Sequence, residues 1–389
     1  MRSSRTVRIG CGVTRTIIMI WVAATLSSCA WLVPVPPGIG REVAWSALPG
    51  WSSGDQARAW PALMQDCQRL PGRDAAWAAI CRAAAILPAA PDAAQARQFF
   101  EQHFRAHEMI GPGDHRRGLI TGYYEPILNG SLVRTARFRY PLYRRPDNLV
   151  RIDLGSLYPD LRGKMLRGRL DGNRVIPYYS RSQITDSADP LRGQELLWVD
   201  NPVALFMLQV QGSGLVRLPD GSLLAVGYAD QNGYPYVAIG QSLVQMRALK
   251  PGDVSLQTIS QWLHDHPNEA ESVLDSNPSY VFFRLHCASS SGPKGALQVP
   301  LTPQSSIAVD PAYIPLGMPV WLDTTLSQGG KPYQRLMLAQ DTGGAIKGPV
   351  RADIFFGRGQ RAEQLAGSMK ERGRLYVLLP YTGNGHEAG

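Results

Sequence analysis

Long apolar runs are scarce in this chain of 389 residues. The leading stretch, 17–26, is far short of the roughly 20 residues that a spanning helix needs. Charged residues make up only 18% and no five like charges follow one another, which excludes a disordered polyelectrolyte. Several catalytic patterns are missing as well. His103 and His107 have helical spacing, but Phe104 follows His103, so HExxH is absent and a surface pair is expected. No GxSxG occurs, and Gly212-Ser213-Gly214 and Gly357-Arg358-Gly359 lack the rest of a phosphate-cradling loop. His264 and His266 have no cysteine or carboxylate partners at zinc spacing. Nothing calls for a metal or an organic cofactor. Without the first 28 residues, which hold Arg2, Arg5, Arg8 and Arg15, basic residues exceed acidic ones by 36 to 31, no case for nucleic acid.

What is present is 44% apolar residues with 39 Gly and 30 Pro, a turn-rich globular composition long enough for two or three domains. The N-terminus reads as an export signal: a basic run to Arg15, an apolar stretch, then Leu26-Ser27-Ser28-Cys29. Small residues before a cysteine resemble the bacterial lipobox, in which the peptide is cut before a Cys that is then acylated. The alternative is an ordinary signal with a chance cysteine. Ala30 stands where an Asp would favour the inner membrane, so the resemblance implies an outer-membrane lipoprotein facing the periplasm of a Gram-negative bacterium.

Of five cysteines, Cys11 leaves with the signal and Cys29 carries lipid. In an oxidising compartment Cys67 and Cys81 are placed to bridge two helices that meet at Leu70-Pro71-Gly72, leaving Cys287 as a buried thiol. Residues 55–109 show helical spacing, with breaks at Pro71-Gly72 and 88–91 giving about three helices. From Gly118 the character changes to short β-rich runs: 119–124, 175–179, 196–199, 281–285, 306–309, 336–340, 354–356 and 375–379. A hairpin is expected around Pro219-Asp220-Gly221, and helices only near 256–264, 269–274 and 360–370. Without βαβ alternation, a mostly antiparallel or mixed barrel is favoured over a doubly wound sheet.

Asp310, Asp341 and Asp353 each end or start an apolar strand in the C-terminal part. A barrel rim exposes such a carboxyl while its neighbours stay dry, raising its pKa toward the range a general acid needs. Asx-turn caps are the equal alternative. Asp341-Thr342-Gly343 also spells the aspartic protease triplet, but the chain has no second one.

Gly122-Tyr123-Tyr124-Glu125-Pro126, Gln209-Val210-Gln211-Gly212-Ser213-Gly214, Asn277-Pro278-Ser279-Tyr280-Val281-Phe282-Phe283, Ile314-Pro315-Leu316-Gly317 and Asp341-Thr342-Gly343-Gly344-Ala345-Ile346-Lys347-Gly348 follow in order. Together they resemble the membrane-bound lytic murein transglycosylase A family, whose C-terminal part is named for three aspartates. The resemblance implies a mainly β fold with an N-terminal helical segment: a double-psi β-barrel plus an inserted second β-domain, a groove between them. The implied division is signal peptide 1–28, anchor and tether 29–54, helical segment and first barrel part 55–126, inserted glycan-groove domain 127–288, and three-aspartate part 289–389. It implies water-free cleavage of the β-1,4 bond between N-acetylmuramic acid and N-acetylglucosamine in peptidoglycan strands, giving 1,6-anhydro ends. Asp353 matches the catalytic residue and Asp341 its neighbouring acid; Tyr123, Tyr124, Glu125, Gln211, Gly212, Ser213 and Asp310 are the candidate substrate contacts. A wall-remodelling complex is a further partner to expect. The competing readings are a non-catalytic peptidoglycan-binding lipoprotein and an inverting glycoside hydrolase on the same barrel.

Overall fold

The structure is a computed structural model that describes residues 36–186, 188–287, 292–327 and 329–381. The expected signal peptide, Cys29, the tether up to 35 and Ser289-Ser290-Ser291 lie outside the described residues.

Six strands close a barrel: β1 (Gly118–Glu125), β2 (Ser306–Val309), β3 (Pro319–Thr325), β4 (Pro332–Asp341), β5 (Arg351–Arg358) and β6 (Lys370–Pro380). They run around it in the order β1-β5-β2-β4-β3-β6, and β6 returns to pair with β1. Pairing is mixed, parallel for β1–β5 and β2–β4 and antiparallel elsewhere. β2 is buried at all four positions, the near-continuous apolar run of a strand covered on both faces. Strands Gly38–Val43 and Phe104–Ile110 extend the sheet beyond β6.

Three helices, Trp60–Asp66, Ala75–Ala84 and Ala93–His103, cover this barrel, with Asp74 and Asp92 capping the second and third. Trp60, Trp77, Phe100 and Trp321 are fully buried in the shared core. A disulfide joins Cys67 to Cys81. Helical spacing misleads after His103: Phe104–Ile110 is a strand, and His107, expected on a helix face, lies with Nδ1 3.0 Å from the Gly40 carbonyl oxygen. Five residues paired with β6, Phe104 to Glu108, outweigh a weak helical pattern there.

Between β1 and β2 the chain builds a second, six-stranded sheet in the order Val281–Cys287, Leu223–Gln231, Ser213–Arg217, Ile127–Ser131, Glu195–Val199, Tyr140–Tyr143. A bridge between Arg144 and Phe283 brings its two edge strands together. The helix Pro202–Gln211 was not expected. Apolar nearly all round, it lacks the polar stripe that betrays a surface helix, and it starts at an Asn201 cap and stops at Gly212. Arg181–Thr185 and Ile239–Gln245 are further unexpected helices, and the strand expected at 175–179 is only Arg174–Ile176.

The last of these strands belongs to a three-stranded sheet, Val150–Ile152, Leu166–Asp171, Arg174–Ile176. It is fastened to the body through Asp230, which has no solvent exposure and accepts from Arg145 (3.1 Å), Arg151 (2.6 Å) and Arg167 (2.6 Å).

Candidate active site

Strand register lays four residues side by side. Asp341 on β4 faces Ala308 on β2, Ala308 faces Asp353 on β5, and Asp353 faces Thr121 on β1. Cross-strand partners share a face of the sheet, so the two carboxyls flank a small alanine across roughly 10 Å of backbone. A β-bulge sets this register: Ile307 pairs with Ala339 but Ala308 with Asp341, and Gln340 is the extra residue. Gln340 turns into the core, where its Nε2 donates to Asp66 Oδ1 (2.6 Å) and to the Ala62 carbonyl (2.9 Å) and its Oε1 accepts from Ser306. Without the skipped residue, Gln340 rather than Asp341 would stand in the row.

The next row along pairs Phe355 with Tyr123, their ring centres 5.2 Å apart. With Leu301, Ala308 and Ile346 these rings form a dry apolar floor beneath the carboxyls. Thr121 Oγ1 donates to Asp353 Oδ1 at 2.6 Å and itself accepts from Arg351 Nη2 at 2.9 Å. Arg351 spends its other bonds on the carbonyls of Leu119 and Ala352, and among the described residues no ion pair to Asp353 is found. Burial pushes the Asp353 carboxyl above the usual carboxylate range, against the downward pull of the Thr121 hydrogen bond and the Arg351 charge.

Asp341 is held differently. Tyr123 OH donates to its Oδ2 and the Ala296 N–H to its Oδ1, both at 2.9 Å. Burial raises it to about 6 although donors from Thr342, Tyr123 and Ala296 favour its charged form, and the Asp353 charge adds to the rise. Tyr123 keeps its proton, pushed well above its ordinary value by burial and by both aspartates. Burial thus raises both carboxyls, the more strongly Asp341, and what distinguishes them is their partners: one hydroxyl at Asp353, three donors at Asp341.

The other expected site residues are scattered. Alternation on β1 turns Tyr124 away from Tyr123; its OH donates to Glu363 and its N–H to Gln211 Oε1, each at 3.1 Å. On that side lies a cavity of about 890 Å³ lined by Tyr124, Pro126, Asn201, Met207, Gln257 and Glu363. Glu125, expected as a substrate contact, is instead buried and ion-paired with Arg358. Asp310 accepts from the N–H groups of Gly348 (2.8 Å) and Ala312 (3.2 Å), the turn-capping alternative rather than a ligand contact. Gly212 was expected to admit a polymer to the backbone; its φ of 78° shows a left-handed helix stop, with open space where a side chain would go. Ser213 opens the following strand. Sequence reasoning missed Thr121, Ala296, Ala308 and Arg351. For Thr121 a signal existed, since it stands two residues before Tyr123 and therefore shares its face.

A half-buried carboxyl with a second carboxyl nearby on a closed barrel is an arrangement capable of acid/base chemistry. The family model "MltA specific insert domain" matches residues 119–284 and "3D domain" matches 305–379. The membrane-bound lytic murein transglycosylase A of Escherichia coli is 33% identical over 307 residues, 77% of this chain and 75% of the relative. A crystal structure of a membrane-bound lytic murein transglycosylase from Agrobacterium tumefaciens superposes with a TM-score of 0.77 at 35% identity, covering 88% of this chain and 98% of that one. Escherichia coli MltA with bound chitohexaose superposes with a TM-score of 0.68 at 28% identity, over 90% and 96% of the two chains. The chain belongs to the membrane-bound lytic murein transglycosylase A family.

Proposed function

We propose that this protein is a peptidoglycan lytic transglycosylase in which Asp353 alone serves as acid and then base. The observation that carries the reading is the state of its carboxyl: Oδ1 is taken by Thr121, and no protein donor reaches Oδ2 among the described residues. Oδ2 is then the oxygen that carries the catalytic proton. It protonates the glycosidic oxygen as the bond to C1 of N-acetylmuramic acid breaks and positive charge builds on that ring. The Asp353 carboxylate next removes the proton of that sugar's own 6-hydroxyl, whose oxygen closes on C1. The 1,6-anhydro product leaves with Asp353 protonated again, so no water is consumed. Because the attacking oxygen is part of the substrate, its effective concentration replaces a second carboxylate and a bound water. Asp341, held by Tyr123 OH and the Ala296 N–H, in its ionised form favours the charge on the ring. Tyr123 orients Asp341 and offers its ring to the sugar; Tyr124, Gln211, Gly212 and Ser213 border the approach on the other side of β1.

The chitohexaose-bound relative, a carrier of a β-1,4 amino-sugar chain, supports a glycan ligand here. Its relatives are named membrane-bound, and no helix among the described residues is long and apolar enough to cross a membrane. Acylation of Cys29 with outer-membrane placement is the anchor we assign. Mass spectrometry of digested murein sacculi tests the reaction. Anhydromuramic ends are expected; reducing ends would make the protein a hydrolase, and intact sacculi a binding lipoprotein.

A further inference from the structure

The three-stranded sheet of the insert is mounted inside out. Its central strand alternates Leu166, Gly168, Leu170 on one face with Arg167, Arg169, Asp171 on the other. Register extends each face: Ile152, Val150 and Val175 oppose the first set, and Arg151, Ile176 and Arg174 the second. An antiparallel sheet with one covered face ordinarily turns its apolar side to the body. Here the charged side faces inward at Arg167, which reaches the buried Asp230, and at Arg169, 4.5 Å over Tyr179, while Arg151 reaches Asp230 from the rim and stays half exposed. The apolar side faces solvent, with Leu166 42%, Leu170 62% and Val175 47% exposed. Val175 lies over Gly168, where any side chain would collide with it, so the face is continuous. Leu157, Tyr158 and Met165, on the segment leading into the central strand, are also exposed.

We propose that this face docks on an anionic phospholipid bilayer. A central strand of six residues, about 20 Å, flanked by two of three residues at about 4.8 Å spacing, gives a patch of about 200 Å², well short of the ~800 Å² each partner gives to a stable protein interface. A fluid surface sets no such threshold and accepts a small apolar wedge. Exposed Arg162 and Lys164 flank the wedge and suit anionic headgroups. Seven residue steps separate Cys29 from Pro36, a reach of about 25 Å at most, so an anchor at Cys29 would hold the body within contact of the bilayer.

The test uses the chain from Ala30 onward, which contains the whole compact unit beginning at Val35 and carries no lipid. The outcome is therefore independent of acylation and of the catalytic reading. Co-sedimentation is expected with vesicles of phosphatidylethanolamine and phosphatidylglycerol, and less with phosphatidylcholine alone. Leu170→Ser with Val175→Ser should weaken partition about tenfold or more at unchanged melting temperature and lytic activity. Arg162→Glu with Lys164→Glu should weaken it and abolish its salt dependence. No sedimentation with either vesicle, or equal sedimentation of the serine variant, overturns the proposal. So does a serine variant whose defect is loss of sacculus binding or of self-association at unchanged vesicle binding.

Discussion

Asp230 in the insert meets three guanidiniums, whereas Asp353 in the barrel meets one hydroxyl. Burial raises the pKa of both. At Asp230 the hydrogen bonds and charges of the arginines overrule it, and the group ends below the usual range; at Asp353 burial prevails. Glu125 falls between: burial raises it despite the single Arg358. Depth alone therefore does not make a catalytic acid. The number of cations bonded to it decides whether a buried carboxylate fastens structure or carries a proton.

Substitution tests this contrast most directly at Asp353. Asp353→Asn should lower turnover about a thousandfold while sacculus binding persists, read from released anhydromuropeptides. Retained turnover would move the acid elsewhere and dissolve the comparison. Asp230→Ala should cost about 2–3 kcal/mol of stability in urea unfolding, because three arginines lose their shared anion, with activity per folded molecule unchanged. A catalytic loss at full stability would erase the distinction. Asp341 sharpens it through pH. Its folded pKa of about 6 lies above the unfolded 3.8, so its contribution is complete below pH 3.8 and fades as pH rises through 6. Asp341→Asn should remove that decline, on the order of 3 kcal/mol, seen in melting curves across the window. Thr121→Val is the mildest change. It removes a bond that favours ionised Asp353, so the alkaline limb of activity should move up by about half a pH unit.

The barrel's chemistry was partly legible in the sequence because apolar strands advertise themselves and place Asp341 and Asp353 at their ends. Strand 306–309 was read with the bounds it has, as Ser306–Val309. What escaped depended on register between distant segments. Thr121 reaches Asp353 across 232 positions, and nothing local to a threonine in a strand announces that partner. Asp230 escaped for the same reason, since its arginines come from 63 to 85 positions away. Gln340 needed the bulge to explain it: alternation alone cannot say which of two adjacent polar residues points inward. For Glu125 and Asp310 the motif reports that a residue type is required, while the partners it meets, Arg358 and the Gly348 and Ala312 N–H groups, come from the fold.

The closure of β6 on β1 bears on when the enzyme starts to work. Lys370 pairs with Thr121, so the strand that bears the partner of Asp353 is locked in place by a segment about 250 positions further along the chain. A nascent or partly exported chain holds Thr121 early and Asp353 late, with the entire insert still to be formed between them. The row of Thr121, Asp353, Ala308 and Asp341 therefore assembles only once strands on both sides of the insert have met, so the site's geometry is a readout of the closed barrel as a whole.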